Sequence, residues 1–537
     1  MLISPGSGQR QVLPGASFMA PEPCGVREDI TSFQERTSSS RHMKKSVNIA
    51  VGVVIVAGVL ISAGAWYTGT RLEGVLGDAV EQGNQQIQSA FAGHEGRANV
   101  ELLSLDRHLF TSTAHYKFTL QTPRLNDGQP VELLFVDHIE HGPFPWSRVK
   151  SLNLMPVMAA SNTELEKNVF SEKWFAMTNG QPPLTGHFSM GYDRAGQGRI
   201  ELLPFQFDDQ NGSFKFSGFT LNASGSANGE KLEANGVLGS VDVTATSEEG
   251  PVRLTLRDLT FNTGGTKGNS GLYLGHSDAK IASATFQAAG QPPVQFKDFV
   301  NTSLLQEVEG KLNAQVTYDI GNLSFDGKDI GSSQMLWKLS NFDVASTKNL
   351  LQIYQEKIQP QAQAAAAMGE SYTPQLSAAD QALVQAQVSK LLAAKPHIEL
   401  EKLSLKTASG ESHFSLSMDL GSPTSLDQPG SALLKQLLTQ ADARLVLSKP
   451  MIRDLAALQA QAAGLTDPAA IAQQAQGAAE TVGGMAIMLQ AGKVEGDNIV
   501  SNLHYANDVV DFNGEKMSAQ QFAAAMMGKV VMFNRGY

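Results

Sequence analysis

The chain has 537 residues, 42% of them hydrophobic, and its 41 Lys and Arg against 52 Asp and Glu leave a formal charge of −11 at pH 7. This acidic balance is dispersed, which argues against nucleic acid and against docking on anionic lipid headgroups, since both need basic patches. The single cysteine is Cys24, so everything downstream of it can form no disulfide, thiolate metal site or cysteine nucleophile.

Residues 1–42 are rich in Ser, Gly and Pro, show no hydrophobic period, and balance four Arg against four acids. Such a segment buries too little apolar surface to offset its ordering entropy, so disorder is expected. Met43-Lys44-Lys45 resembles the ordinary start of an exported protein, so the extension reads as a mis-called translation start. Val47 to Tyr67 follows, uncharged throughout. It is long enough to cross a hydrocarbon core of about 30 Å as a helix. Lys44 and Lys45 would hold its amino end in the cytoplasm, with Trp66-Tyr67 at the far interface. The competing reading, cleavage after Ala65 within Ala63-Gly64-Ala65, exports the same domain. A Cys-free exported domain of this size is held by its core alone, which suits the periplasm of a Gram-negative bacterium.

Within residues 43–70, then, lies a membrane anchor, and Arg71 to Phe91 continues it as a helix with Leu72, Val75, Leu76, Ala79, Val80 and Ile87 in one stripe. From Asn99 the period changes to two. Val100 to Leu105, His115 to Leu120 and Val131 to Val136 read as strands, the last apolar enough to be buried on both faces. A helical insert is expected over residues 147–179, entered through a rigid Pro- and Gly-containing run at Glu140, His141, Gly142, Pro143, Phe144 and Pro145. From Gly186 to Val344 alternating segments separated by Asn211-Gly212, Asn228-Gly229, Glu249-Gly250-Pro251, Gly264-Gly265 and Asp326-Gly327 read as a long antiparallel meander. Its apolar positions predict one greasy face: Phe214, Phe216 and Phe219, then Leu254, Leu256, Leu259 and Phe261, then Leu336, Leu339 and Phe342. That face must be covered by a sheet, by helices or by a ligand.

Residues 346–537 shift to Ala and Gln. Ser346 is expected to cap a helix ended by Pro360, with a QAQAAAAMG linker behind it. Ser377 and Asp380 form a capping-box pattern for a second helix with Val384, Val388, Leu391 and Leu392 on one face. Strands return at residues 397–420 and 443–448, a helical block at 451–492 restarts at Asp467-Pro468, and a hairpin and short helix close the chain. The expected fold class is therefore α+β: a transmembrane helix, a mainly antiparallel β domain over residues 71–345, and a mixed α/β region after it.

The Lys-Lys start, Gly64 to Gly69, the Glu140 to Pro145 run with SLNLMPVMA behind it, and the closing HYAN and FNGEKMS segments together resemble the YdgA-like family of bacterial inner-membrane proteins. The resemblance runs from Met43 to about Phe522. It implies a single-pass inner-membrane protein with a periplasmic domain, a homodimer among its candidate states, and no established activity. Asp508 departs from the family, which places Gly in that hairpin.

Asp137-His138-Ile139-Glu140-His141 is the densest titratable cluster. On a helix His138 and His141 could share a metal, whereas in a strand they point apart, and the preceding apolar run favours a strand. No Gly-x-Ser-x-Gly, phosphate loop or His-Glu-x-x-His is present, so no catalytic residue, metal or cofactor is assigned and no enzyme is expected. The functional expectation is a lipid-handling or apolar-ligand-binding envelope protein. Its alternatives are a homodimeric envelope scaffold and, third, a hydrolase with an unrecognised site.

Overall fold

The computed structural model describes residues 96–534 apart from 123–125, 210–211, 248–249 and 369–371, together with parts of the segment 76–87. The expected anchor, Val47 to Tyr67, lies outside the described residues, among which no helix is long and apolar enough to cross a membrane.

Among the described residues, one antiparallel sheet of 22 strands organises the fold. Its first part comprises β1 (Arg97–Arg107), β2 (Thr111–Gln121), β3 (Val131–His141), β4 (Ala159–Leu165), β5 (Leu184–Met190) and β6 (Gly196–Leu202). The short hairpin β7 (Phe205–Asp209) and β8 (Gly212–Phe216) follows, then β9 (Phe219–Gly225). The long strands are β10 (Lys231–Ser247), β11 (Gly250–Lys267), β12 (Tyr273–Gln287), β13 (Val294–Val308), β14 (Lys311–Phe325) and β15 (Lys328–Asp343). Beyond them come β16 (His397–Lys406), β17 (Glu411–Leu420), β18 (Leu438–Ser448), β19 (Lys493–Glu495), β20 (Asn498–Ala506), β21 (Val509–Phe512) and β22 (Glu515–Ser518).

Each strand pairs with the next almost throughout. The exceptions are that β9 returns to pair with β6, β8 and β9 share β10, and β18 pairs with β20. Because β15 pairs directly with β16, the sheet runs on past residue 345. The helices there are an insertion between neighbouring strands, not the start of a separate layer.

Several expectations are corrected by this pairing. The insert 147–179 is not uniformly helical: helices Trp146–Lys150 and Glu172–Met177 flank β4, whose alternating positions place it between β3 and β5. Gly264-Gly265 is no turn but lies within β11, where Gly275 faces Gly265 so closely that a Cβ at Gly275 would run into the Gly264 carbonyl oxygen. The segment Val294–Val308, within the expected meander, is β13. Its alternation is interrupted by Asp298, whose φ of 52° lies in the left-handed region. In β3 the buried side chains are Phe135, Asp137 and Ile139, on one face only.

Asp343, not Ser346, caps the helix Val344–Ile353, accepting the Ser346 N–H at 2.8 Å. Pro360 does not end it. A π turn at Tyr354–Ile358 widens the helix just before the proline, where a regular helix would meet the ring with a carbonyl, and the QAQAAAAMG stretch continues as the helix Gln359–Met368. Ser377 caps the helix Ala378–Ala393 through the Asp380 N–H at 3.1 Å. Asp467 caps Pro468–Met488 through the N–H groups of Ala469 and Ala470. At the closing hairpin, Asn507 and Asp508 have φ of 52° and 65°, the pattern of a two-residue type I′ turn, which Asn and Asp adopt readily.

Candidate functional site

Side chains paired across antiparallel strands lie on the same face of a sheet, so the register shows which residues the fold collects. One line across the sheet reads Leu184, Leu202, Phe219, Leu238, Leu259, Ile281, Phe299 and Ile320, through eight successively paired strands. A second reads Phe216, Val241, Leu256, Ala284, Phe296 and Leu323. A third reads Phe214, Val243, Leu254, Phe286, Val294 and Phe325. Between the first and second lines the regular pairing is interrupted at Gly239, Asp258, Ala282, Asp298 and Gly321. This crease resets the alternation, so residues three apart on a strand fall on one face: the Phe296 and Phe299 rings meet edge to face at 5.9 Å. The opposite face is polar, with Asn222, Asn235, Asn262, Asp278, Thr302 and Thr317 in register.

Of the residues expected to form the greasy face, Phe214, Phe216, Phe219, Leu254, Leu256, Leu259 and Phe261 are brought together. Phe214 and Phe216 join Phe205 and Phe207 in a cluster of stacked and tilted rings, and Phe219 stacks on Phe261 at 6.4 Å. Leu339 and Phe342 also reach the face, because Asn341, with φ of 64°, forms a bulge between them. Leu336 does not. It pairs with Thr317 of the polar face, while Met335 and Trp337, paired with Tyr318 and Val316, take the apolar side.

The face is covered unevenly. At the β1 end it forms a buried core in which Leu76 and Ile87 meet Tyr116, Phe118, Phe135, Ile139, Leu165 and Ile200. At the β22 end Tyr505 and Val510 are buried beneath Phe512 and Phe522, the latter from the helix Ala519–Asn534. Between these ends the side chains are half-buried: in β12 to β15 only Ala284, Leu312 and Ser324 are buried, and Phe286 and Val294 remain 41% and 40% exposed.

The Glu140 to Pro145 run forms a second feature at the end of β3. The Glu140 carboxylate accepts the Ser147 N–H at 2.9 Å and the Ser147 hydroxyl at 2.5 Å, holding the start of the helix Trp146–Lys150. His141 shares a 3.0 Å hydrogen bond between Nε2 and the Ser112 hydroxyl, its backbone N–H donates to Phe110 O, and burial lowers its pKa. Gly142, with φ of 104°, donates to Met158 O, and Val157 N–H donates to Pro143 O, closing residues 142–158 into a fixed loop. Asp137 is buried on the same face of β3 as Ile139, and its Oδ1 accepts from Ser161 at 2.5 Å and Thr163 at 3.0 Å. Desolvation pushes its carboxyl above the ordinary range. His138 stands on the opposite face from His141, exposed. Among the described residues no group of three or more His, Cys, Asp and Glu is placed to hold a metal ion.

What this run supports was not evident from the sequence: an exposed apolar platform of Phe144, Trp146, Leu152, Leu154 and Met155. The signal available was a dense apolar stretch between prolines that fits neither strand nor helix periodicity. On the platform's inner side Ser147, Arg148, Ser151 and Asn153 face Asn162, His187, Arg199 and Asn222 across an open cleft of about 430 Å³ whose lining is mainly polar.

The fold and face together define a class: a single-sheet β protein with one continuous apolar face, covered at its two ends. The chain matches the family described as bacterial protein of unknown function (DUF945) over residues 43–520, and it belongs to that family. It is similar to protein YdgA of Escherichia coli K12, 27% identical over 497 residues covering 89% of this chain and 96% of that protein. It is also similar to the uncharacterized protein YihF of the same organism, 22% identical over 483 residues, 88% of this chain and 97% of that protein. A Haemophilus influenzae protein is 30% identical over 182 residues, 34% of this chain and 48% of its own length. No solved structure matches.

Proposed function

We propose that the middle of the apolar face is a groove for acyl chains or another long apolar ligand, carried by a protein anchored in the bacterial inner membrane with its sheet in the periplasm. The observation that supports this reading is the half-exposed apolar surface of β12 to β15, continuous in register with buried cores on both sides. Covering such surface is favourable by about 25 cal/mol per Å², so a groove of several hundred Å² strongly favours an occupant. The uncharged run Val47 to Tyr67, read as an anchor, fits the same proposal, since it would hold the groove beside a source of lipid.

Native mass spectrometry of the full chain in mild detergent, combined with photoreactive lipid, tests the proposal. Wild type is expected to carry and crosslink lipid, and Leu256→Glu or Phe216→Glu to lower recovery while keeping the circular dichroism of the fold. A wild type that never crosslinks, with variants that unfold, would mean that the face is closed by protein, and a homodimeric scaffold would take the place of this reading.

A further inference from the structure

We propose that the platform from Phe144 to Met155, with the β1–β2 turn at Leu109 and Phe110 beside it, seats in the surface of a phospholipid bilayer. Trp146, Leu152 and Met155 are 62%, 84% and 75% exposed, and Leu109 and Phe110 are exposed with them. The His141 N–H donates to Phe110 O at 2.8 Å, which ties the two elements together at the same end of β2 and β3. Glu140, Gly142 and Pro143 hold the platform through the bonds described above. Its exposure therefore belongs to a fixed loop and not to a slack one.

The chemistry of the platform fits a lipid interface. Residues 142–158 contain Arg148 and Lys150 and no acid, in a chain whose net charge is −11. The Lys150 Nζ lies 5.6 Å from the centre of the Trp146 ring, pairing an amphipathic aromatic with a cation as interfacial segments do. The dispersed acidity of the whole chain argues against electrostatic docking, and here insertion of apolar side chains does the holding. Position bears on this as well: the platform leaves β3 at His141, beside the β1–β2 turn, whereas the chain enters β1 at Arg97, the opposite end of the same paired strands. The segment read as the anchor leads into β1 at that opposite end. The platform is thus a second point of contact, apart from the first, and the two together would fix how the sheet's first edge faces the membrane. This contact is independent of whether the groove is occupied.

The test uses the full chain with Cys24→Ser and Leu154→Cys, labelled at residue 154 with an environment-sensitive nitrobenzoxadiazole dye. The protein is reconstituted in vesicles of phosphatidylethanolamine and phosphatidylglycerol, with or without nitroxide-labelled phosphatidylcholine. The emission is expected to be blue-shifted, quenched by the nitroxide lipid and protected from iodide. The same label at Met155→Cys gives an independent reading, and at Lys215→Cys, on the polar face, it is expected to be reached by iodide and not by the lipid. A label at both platform positions that iodide reaches and the lipid does not would overturn the proposal. So would a label shielded from both, which would mean that a second copy or another protein covers the platform. Leu256→Glu is expected to leave the platform signal unchanged, which separates a failure here from a failure of the groove reading.

Discussion

Phe296 and Phe299 are three residues apart in one strand, yet their rings touch edge to face at 5.9 Å on the same side of the sheet. The residue that permits this is Asp298, whose φ of 52° resets the side-chain alternation. Replacing it by Val, which resists that conformation, is expected to cost about 1–2 kcal/mol. Asp298→Gly should be nearly neutral. Urea unfolding of the two variants checks this, and equal losses would mean that the backbone conformation is not what matters there.

The uneven covering of the face makes a second comparison possible. Ile139 is 1% exposed in the core at the β1 end, whereas Ile281 stands half-buried on the same face. Ile139→Ala is expected to cost about 2–5 kcal/mol, the range for a truncation that leaves a cavity, and Ile281→Ala well under half of that. Thermal unfolding of ligand-free protein showing equal losses would indicate that the centre of the sheet is packed.

Glu140 restrains the platform through two hydrogen bonds to Ser147. Glu140→Ala should cost about 1 kcal/mol, as loss of a capping acceptor commonly does. Limited proteolysis should also cut the variant faster within residues 142–158. Glu140→Gln, which keeps an acceptor, should restore most of the protection, and a loop cut equally fast in all three proteins would show that Glu140 is not its restraint.

Burial raises the Asp137 carboxyl above its ordinary value of 3.8, with the Ser161 and Thr163 hydroxyls and His138 opposing the shift. The folded state therefore holds this proton more tightly than the unfolded chain does. Its contribution to stability is complete below about pH 4 and declines as pH rises through the folded value. Asp137→Asn removes the titration and keeps an acceptor for Ser161, so urea midpoints measured at about pH 5 and about pH 8 should differ less than in wild type. The neighbouring Tyr116 phenol, raised chiefly by burial and secondarily by Asp137, stays protonated throughout that range. An unchanged slope in the variant would remove Asp137 as its source.

Much of the sheet was legible because its information is local. Alternation marks β1, β2 and most of β10 to β15, and capping chemistry marks the helices at Ser377 and Asp467. Where local signals compete, the pairing of neighbouring strands and the helix geometry override them. Gly264-Gly265 carries turn chemistry, yet the close approach of Gly275 keeps it within a strand. Pro360 carries a helix stop, yet a π turn absorbs it.

That this chain makes a long antiparallel sheet with an apolar side is written in the order of its residues, because side-chain alternation is a property of each strand separately. Which residues share that side, where Leu336 gives way to Met335 and Trp337, and where the side is covered follow from the folded molecule alone. Register depends on bulges such as Asn341 and on the crease through Asp258 and Asp298, and these arise when neighbouring strands pair. Coverage depends on which distant segments come to lie on the sheet, and no pattern within a strand specifies that.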